Sequence, residues 1–329
     1  EQPFKDDVCP TYYSFNLGEV HYVVLDNIRY INTGASEGTV GDRDYNGYIV
    51  PAQIEWLKKD LAYVTDKSTP IVVCMHINLH QNPIVSGNDE IAMVTLDNGA
   101  ELKSILSEFS DVQVLTGHTH INFTVEDETL MEHNTAAVCA TWWWTGNTGY
   151  AGNHICKDGS PGGYAVWSID GRDMEWYYKG TGCDRDYQFR TYDLNETYIT
   201  AEKYAPNSTD EALSEYAGTY ATKRSDNKVL INVWGYDSAW KVEVTEDGRP
   251  LEVRRVWVKD PLHIISYEAL RLNAGSSPTS SFVSDNTGHM FEVTASAPDT
   301  PLEIRVTDRF GRVYTETMQR PKALSCDMK

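Results

Sequence analysis

The stretch that decides the fold is PIVVCMH (70–76), together with VQVLTGHTH (112–120). Each is a short apolar run rich in β-branched residues and bounded by polar turns. That pattern reads as a strand buried on both faces of a parallel sheet. In open α/β sheets ligands gather beyond the carboxyl ends of such strands. The two runs end in His76 and in Gly117-His118-Thr119-His120, so three imidazoles are expected at the edge where chemistry is done. Imidazole is the commonest neutral metal ligand, and divalent ions take several from separate strands. Gly117 would let the chain turn sharply before the pair. His118 and His120, two residues apart in a loop, could reach two different ions.

Outward from these runs the pattern supports an α/β arrangement. Residues 11–17 and 20–26 read as strands around Gly18-Glu19. Residues 28–50 form a polar, tyrosine-rich loop. Pro51–Val64 reads as a helix opened by proline, with Ile54, Leu57, Leu61 and Val64 on one face. Asn98–Phe109 reads as a second helix with a stripe of Leu102, Ile105, Leu106 and Phe109. Strand–helix–strand repetition of this kind predicts a layered α/β sheet. Short strands are expected at 122–127, 136–141, 164–170 and 173–179.

A boundary is expected at Gly180–Arg185. Beyond it the reading is nearly all β, with strands at 229–234, 239–244, 251–257, 289–295 and 302–307. Hairpin turns fall at Glu246-Asp247-Gly248 and Phe310-Gly311-Arg312. Asp260–Leu270 reads as a short helix. The expected organisation is 1–184 and 185–329, the second part sandwich-like.

The 329 residues carry a formal charge of −20, which repels a phosphate backbone and argues against nucleic acid as a partner. No apolar run approaches the ~18 residues of a membrane span. Of the cysteines, Cys74 and Cys139 fall in apolar strands and read as buried thiols. Cys9, Cys156, Cys183 and Cys326 lie in loops or termini and could pair. None makes a C-x-x-C.

The remaining histidines carry weaker signals. His21 alternates within a strand and reads as structural, as do His133 and His154, which have no spacing partner. His80 could face the cleft of His76, though a role behind it or on the surface is the better reading. His263 and His289 suggest no chemistry. The run Trp142-Trp143-Trp144 either walls a substrate pocket or packs under its own loop.

The segments TYYSFNLGEVHYVVLDN (11–27), IVPAQIEWLKKDLAYV (49–64), VVCMHINLH (72–80), LTGHTH (115–120), WWW (142–144), KDGSPGGYAVWSIDG (157–171) and RVTDRFGRVYTE (305–316) resemble, in order, the calcineurin-like metallophosphoesterases. The resemblance is to a bacterial group in which a β-rich domain follows the catalytic one. It implies an α/β layered, metallophosphoesterase-like part, incomplete at its N-terminus, followed by an all-β sandwich-like accessory domain. It implies hydrolysis of a phosphate mono- or diester by two divalent ions such as Mn, Fe or Zn. His76 and His118 would bind one ion and His120 the other. A lipid pyrophosphate is a further possible substrate.

The family's upstream motifs D-x-H, G-D-x-x-D and G-N-H-D/E are not found. Gly41-Asp42-Arg43-Asp44 places its second acid one residue early, with Tyr45 in the slot that needs Asp. Gly152-Asn153-His154-Ile155 follows GHTH and lacks the acid, so it reads as coincidence. The family's acid/base histidine therefore has no counterpart. The chain is expected to be a fragment that binds metal weakly and hydrolyses little alone. The alternatives are a non-catalytic binding module and a part completed by a separate N-terminal polypeptide. An uncovered sheet edge would favour self-association. Asp308 would cap the turn before Gly311. By resemblance the protein is extracytoplasmic.

Overall fold

The computed structural model describes residues 11–31, 45–87, 89–147 and 150–328. The fold is β-rich, with one mixed sheet and few helices. The mixed sheet runs in the order Tyr13–Leu17, Val20–Val24, Ile71–Cys74, Val112–Thr116, Leu130–Asn134, Phe123–Asp127. Its four inner strands are mutually parallel, and the first and last strands pair antiparallel to their neighbours. Cys74 sits opposite Leu115, so the inner strands end level with one another. That register carries His76 and Gly117 to the same edge, where the Gly117 amide donates to the His76 carbonyl at 3.2 Å.

Both helices form where the apolar spacing placed them, at Pro51–Ala62 and Gly99–Leu106. Proline opens the first, where its missing N–H costs nothing. Their stripes of Ile54, Leu57, Leu61, Leu102 and Leu106 join Val23, Ile71, Val73, Val112 and Val114 in one core cluster. Gln53, also buried, exchanges two hydrogen bonds with the Asp26 backbone at 2.9 and 2.8 Å. Gly99 is required by contact, because a Cβ there would lie 2.5 Å from Val94 and 2.7 Å from Leu79.

One strand departs from expectation. Residues 138–147 form turns rather than continuing a strand at 136–141. Left-handed backbone at Ala140, Trp142 and Trp143 (φ 49°, 48° and 68°) breaks the extension. The strand lies upstream, at Leu130–Asn134, and every residue of it is buried. Cys139 consequently sits in a turn, half-buried. Cys156 is wholly buried, its thiol pushed well above the usual range by lost solvation. Cys9 and the segment Gly41–Asp44 lie outside the described residues.

The hairpin Gly163–Asp170/Asp173–Gly180 lies against the mixed sheet, with Trp167 and Trp176 edge-on to His133 at 4.8 and 4.7 Å. Downstream are two four-stranded antiparallel sheets. Their orders are Phe189–Asp193, Lys228–Val233, Asn286–Thr294, Arg254–Lys259 and Arg249–Pro250, Lys241–Glu246, Leu302–Thr307, Val313–Met318. Residues of both, among them Val229, Ile231, Val293, Val244, Ile304 and Val306, share one apolar cluster.

This region is less purely β than the pattern suggested. Helices occur at Ala201–Tyr204 and Asp210–Ala217, the latter capped by the Thr209 hydroxyl on the Ala212 amide. The expected helix at 260–270 is two, Pro261–Ser266 and Glu268–Asn273. Asp308 does cap its turn: one carboxylate oxygen accepts from the Phe310 and Arg312 amides at 2.9 and 2.8 Å.

Candidate functional site

His76 follows the strand Ile71–Cys74 and is exposed. His118 follows Val112–Thr116 and is half-buried. The two rings meet edge to face, with centroids 4.9 Å apart and His76 Nε2 3.0 Å from His118 Nδ1. The other nitrogen of His118 lies 3.3 Å from the Tyr45 hydroxyl. Burial first, then the neighbouring His76, His120 and Lys157, depress the His118 pKa. A depressed pKa keeps the ring neutral at physiological pH, with a nitrogen lone pair available.

His120 turns elsewhere. Its backbone is left-handed (φ 57°), so the sharp turn falls on His120 itself and not on Gly117. Its Nδ1 lies 3.2 Å from the Ala140 carbonyl and 3.6 Å from the Cys139 sulfur. Its ring stacks on Trp142 at 4.1 Å, and Trp142 stacks on Phe282 at 4.2 Å. Burial lowers its pKa too, against a raising contribution from the Ala140 carbonyl. Trp142 therefore packs under the loop, whereas Trp143 stands 62% exposed beside the stacked His154.

Five other histidines are held by neighbouring polar groups. His21 bridges Asn16 and Asp60 at 2.8 and 2.9 Å. His133 is buried against Gln113 at 2.8 Å. His154 lies 2.5 Å from the Val138 carbonyl, and its neighbour Asn153 donates to Ser266. His263 lies between Thr141 and Ser284 at 2.8 and 2.7 Å. His80 is neither at the rim nor on the surface. It is 1% exposed, held between Glu132 at 2.8 Å and Asp127 at 3.1 Å.

Glu132, which carries no local signal in the sequence, is the anchor beneath the rim. Wholly buried, it accepts from the amides of Leu79 (2.7 Å) and His80 (2.9 Å), from the His80 ring, and from the Thr116 hydroxyl (3.0 Å). It thus ties the segment after His76 to the residue before Gly117. Asn134, on the same strand, donates to the Thr119 hydroxyl and the Ile121 carbonyl at 2.6 and 2.7 Å, fixing the GHTH loop.

A two-ion site is not completed by these residues. Among the described residues no group of three His, Cys, Asp or Glu side chains is placed to hold a metal ion. His76 and His118 do present nitrogens close enough for one ion at ~2.1 Å from each. His120 Nδ1 faces a carbonyl, and no carboxylate hydrogen-bonds to His76 or His118 among the described residues. Divalent ions of this kind want anionic oxygen as well.

Residues 132–314 match the family model for the C-terminal region of calcineurin-like phosphoesterases, more than half of the chain. The chain belongs to this family. The match opens at Glu132, and it takes in the WWW loop, KDGSPGGY and the Asp308 turn. No curated protein matches the chain. Among solved structures, a dimetal phosphatase from Danio rerio is similar at 16% identity and a TM-score of 0.31. The similarity covers 41% of this chain and 52% of that one, so the chain spans about half that protein's length. It is a partial likeness only.

Proposed function

We propose that His76, His118 and His120 supply the nitrogen ligands of a divalent-metal centre that hydrolyses a phosphate mono- or diester. The observation that carries this is the 3.0 Å approach of His76 Nε2 to His118 Nδ1 at the ends of adjacent parallel strands, in a chain of the calcineurin-like phosphoesterase family. Bound divalent ions would polarise the phosphoryl group and lower the pKa of a coordinated water. The chain's own residues hold the two rings level, burial and its neighbours keep His118 neutral, and the Tyr45 hydroxyl lies 3.3 Å from His118 Nε2. The substrate would be a small phosphorylated molecule. In this reading the fold is an α/β layered part followed by a sandwich-like accessory domain. By resemblance, the proposed location is outside the cytoplasm.

Because the ligand set is incomplete among the described residues, ion binding by this polypeptide should be weak and turnover small. Calorimetry with Mn²⁺ or Zn²⁺ should give weak binding that His118→Ala abolishes, and 4-nitrophenyl phosphate with Mn²⁺ should be hydrolysed near background. Binding indifferent to His118→Ala would sink the ligand assignment. Tight stoichiometric metal with turnover would refute the expectation of weakness. The unfinished ligand set also favours a second reading, a non-catalytic binding module, for which no phosphate ester would be turned over at any metal concentration.

We also propose that the chain self-associates along its sheet edge. Among the described residues strand Tyr13–Leu17 ends the sheet, and Tyr13, Phe15 and Leu17 are 52%, 44% and 66% exposed on one face. A free edge with an apolar face templates pairing, and a lysine there blocks it. Light scattering should report a dimer or larger species that Phe15→Lys reduces to monomer. A monomeric wild type would end the idea.

A further inference from the structure

Three aromatic rings run in a row from the C-terminal half of the chain to the rim. Phe282 stacks on Trp142 with centroids 4.2 Å and planes 20° apart, and Trp142 stacks on His120 at 4.1 Å and 15°. Phe282 in turn meets the buried Tyr267 at 6.1 Å, edge-on. A second line reaches the same turn. His263 Nε2 lies 2.8 Å from the Thr141 hydroxyl, which donates to the Ile155 carbonyl at 2.9 Å. The turn held in this way is strained. Ala140 and Trp142 have left-handed backbone, φ 49° and 48°, on either side of the wholly buried Thr141. Such backbone costs free energy in a residue with a side chain and persists only where its surroundings over-determine it. Here Phe282, Tyr267 and His263 supply those surroundings.

The strained turn gives His120 two of its contacts. The Ala140 carbonyl lies 3.2 Å from Nδ1, and the Trp142 indole covers the ring face. A carbonyl only accepts, so Nδ1 carries the hydrogen, and in the neutral ring the lone pair sits on Nε2. Metal-binding histidines are commonly oriented in this way, one nitrogen donating to a carbonyl while the other faces the ion. Relaxing the turn would withdraw carbonyl and indole together. We propose that Phe282 is a positioning residue: it braces Trp142, and Trp142 with the Ala140 carbonyl sets the orientation in which His120 meets a metal ion. The C-terminal half of the chain thereby holds one corner of the rim. This role rests on the reading of His120 as a metal ligand. His76 and His118, which contact each other and Tyr45, stand outside the stack.

The test is NMR of the full chain with carbon-labelled histidines, the signals assigned through His76→Gln and His120→Gln, during a titration with Zn²⁺. In the wild type the His120 ring protons should be displaced by the ring current of the stacked indole. Phe282→Ala should erase most of that displacement and raise the Zn²⁺ midpoint of the His120 signal about tenfold, the usual effect of losing a group that orients a ligand. The His76 midpoint should hold. Phe282→Tyr, which keeps the ring, should restore both readings. Val293→Ala, a truncation in the apolar cluster of the two four-stranded sheets, should lower the melting temperature and move neither. Phe282→Leu decides, with the same direction expected, if the alanine variant does not fold. The proposal is overturned if His120 keeps its wild-type shift without the phenyl ring, or if Val293→Ala displaces it as far. A wild-type His120 signal indifferent to Zn²⁺ would refute the ligand assignment and this proposal with it. A responsive signal unmoved by Phe282→Ala would refute the brace alone.

Discussion

Replacing Glu132 with alanine should destabilise the chain by about 3–5 kcal/mol, the usual cost of removing one partner from a buried charged network. Four donors would lose their acceptor at once: the Leu79 and His80 amides, the His80 ring and the Thr116 hydroxyl. The site is sealed, so water cannot easily replace the carboxylate. Glu132→Gln should cost less, because one acceptor oxygen remains. Denaturant unfolding at pH 7 reads both values. A loss below ~1 kcal/mol for the alanine variant would show that the network is dispensable. Ion binding at His76 and His118 should weaken in parallel, since Glu132 ties together the two segments that carry them.

Acidification should destabilise the chain well before its carboxylates titrate, and His133 should dominate the effect. Burial pushes its pKa from the ordinary 6.5 down to about 3, and Arg309 adds to the shift. The unfolded chain binds a proton at this ring below about pH 6.5, whereas the folded chain refuses it until about pH 3. The unfolded state therefore holds more protons across that window, and stability falls as pH falls through it. The loss is about 1.4 kcal/mol for each pH unit, on the order of 5 kcal/mol in full. His118 and His120, whose pKa values are also lowered, add smaller contributions of the same sign. His133→Phe should flatten the curve between pH 6.5 and 4, whatever it does to stability at pH 7. An acid limb unchanged in that variant would rule out His133 as its source.

Some of this molecule was readable from its sequence because the relevant signals are local. The runs at 71–74 and 112–116 are apolar on both faces, and only a doubly covered strand has use for that. The helical stripes at 51–62 and 99–106 follow from the 3.6-residue period. The rim histidines were placed by counting from the ends of those runs.

What escaped was written in long-range partnerships. Leu-Met-Glu-His-Asn at 130–134 looks too polar for a buried strand. It is buried because Glu132 finds its donors near residues 79 and 116, and His133 finds two tryptophans from a distant hairpin. Ala-Ala-Val-Cys-Ala at 136–140 looks like a strand by propensity, yet the loop packing of Trp142 between His120 and Phe282 holds it in turns. The helix at 210–217 had a visible start in Thr209-Asp210-Glu211, a side-chain cap followed by acids in the first turn, and was overshadowed by the β-rich surroundings. For His80 the sequence offers Leu79 before it, Gln81 after it and no hint of the carboxylates that enclose it.

The left-handed residues gathered around the rim, at His120, Ala140, Trp142, Trp143 and His154, bear on how this surface can change over generations. Such backbone tolerates glycine, asparagine and aspartate and resists valine, isoleucine and threonine. Substitution here is a one-way street: an imidazole or indole can drift to a small or polar residue at little conformational penalty, but a branched aliphatic is barred. A lineage that abandons this rim would therefore thin it out rather than grease it.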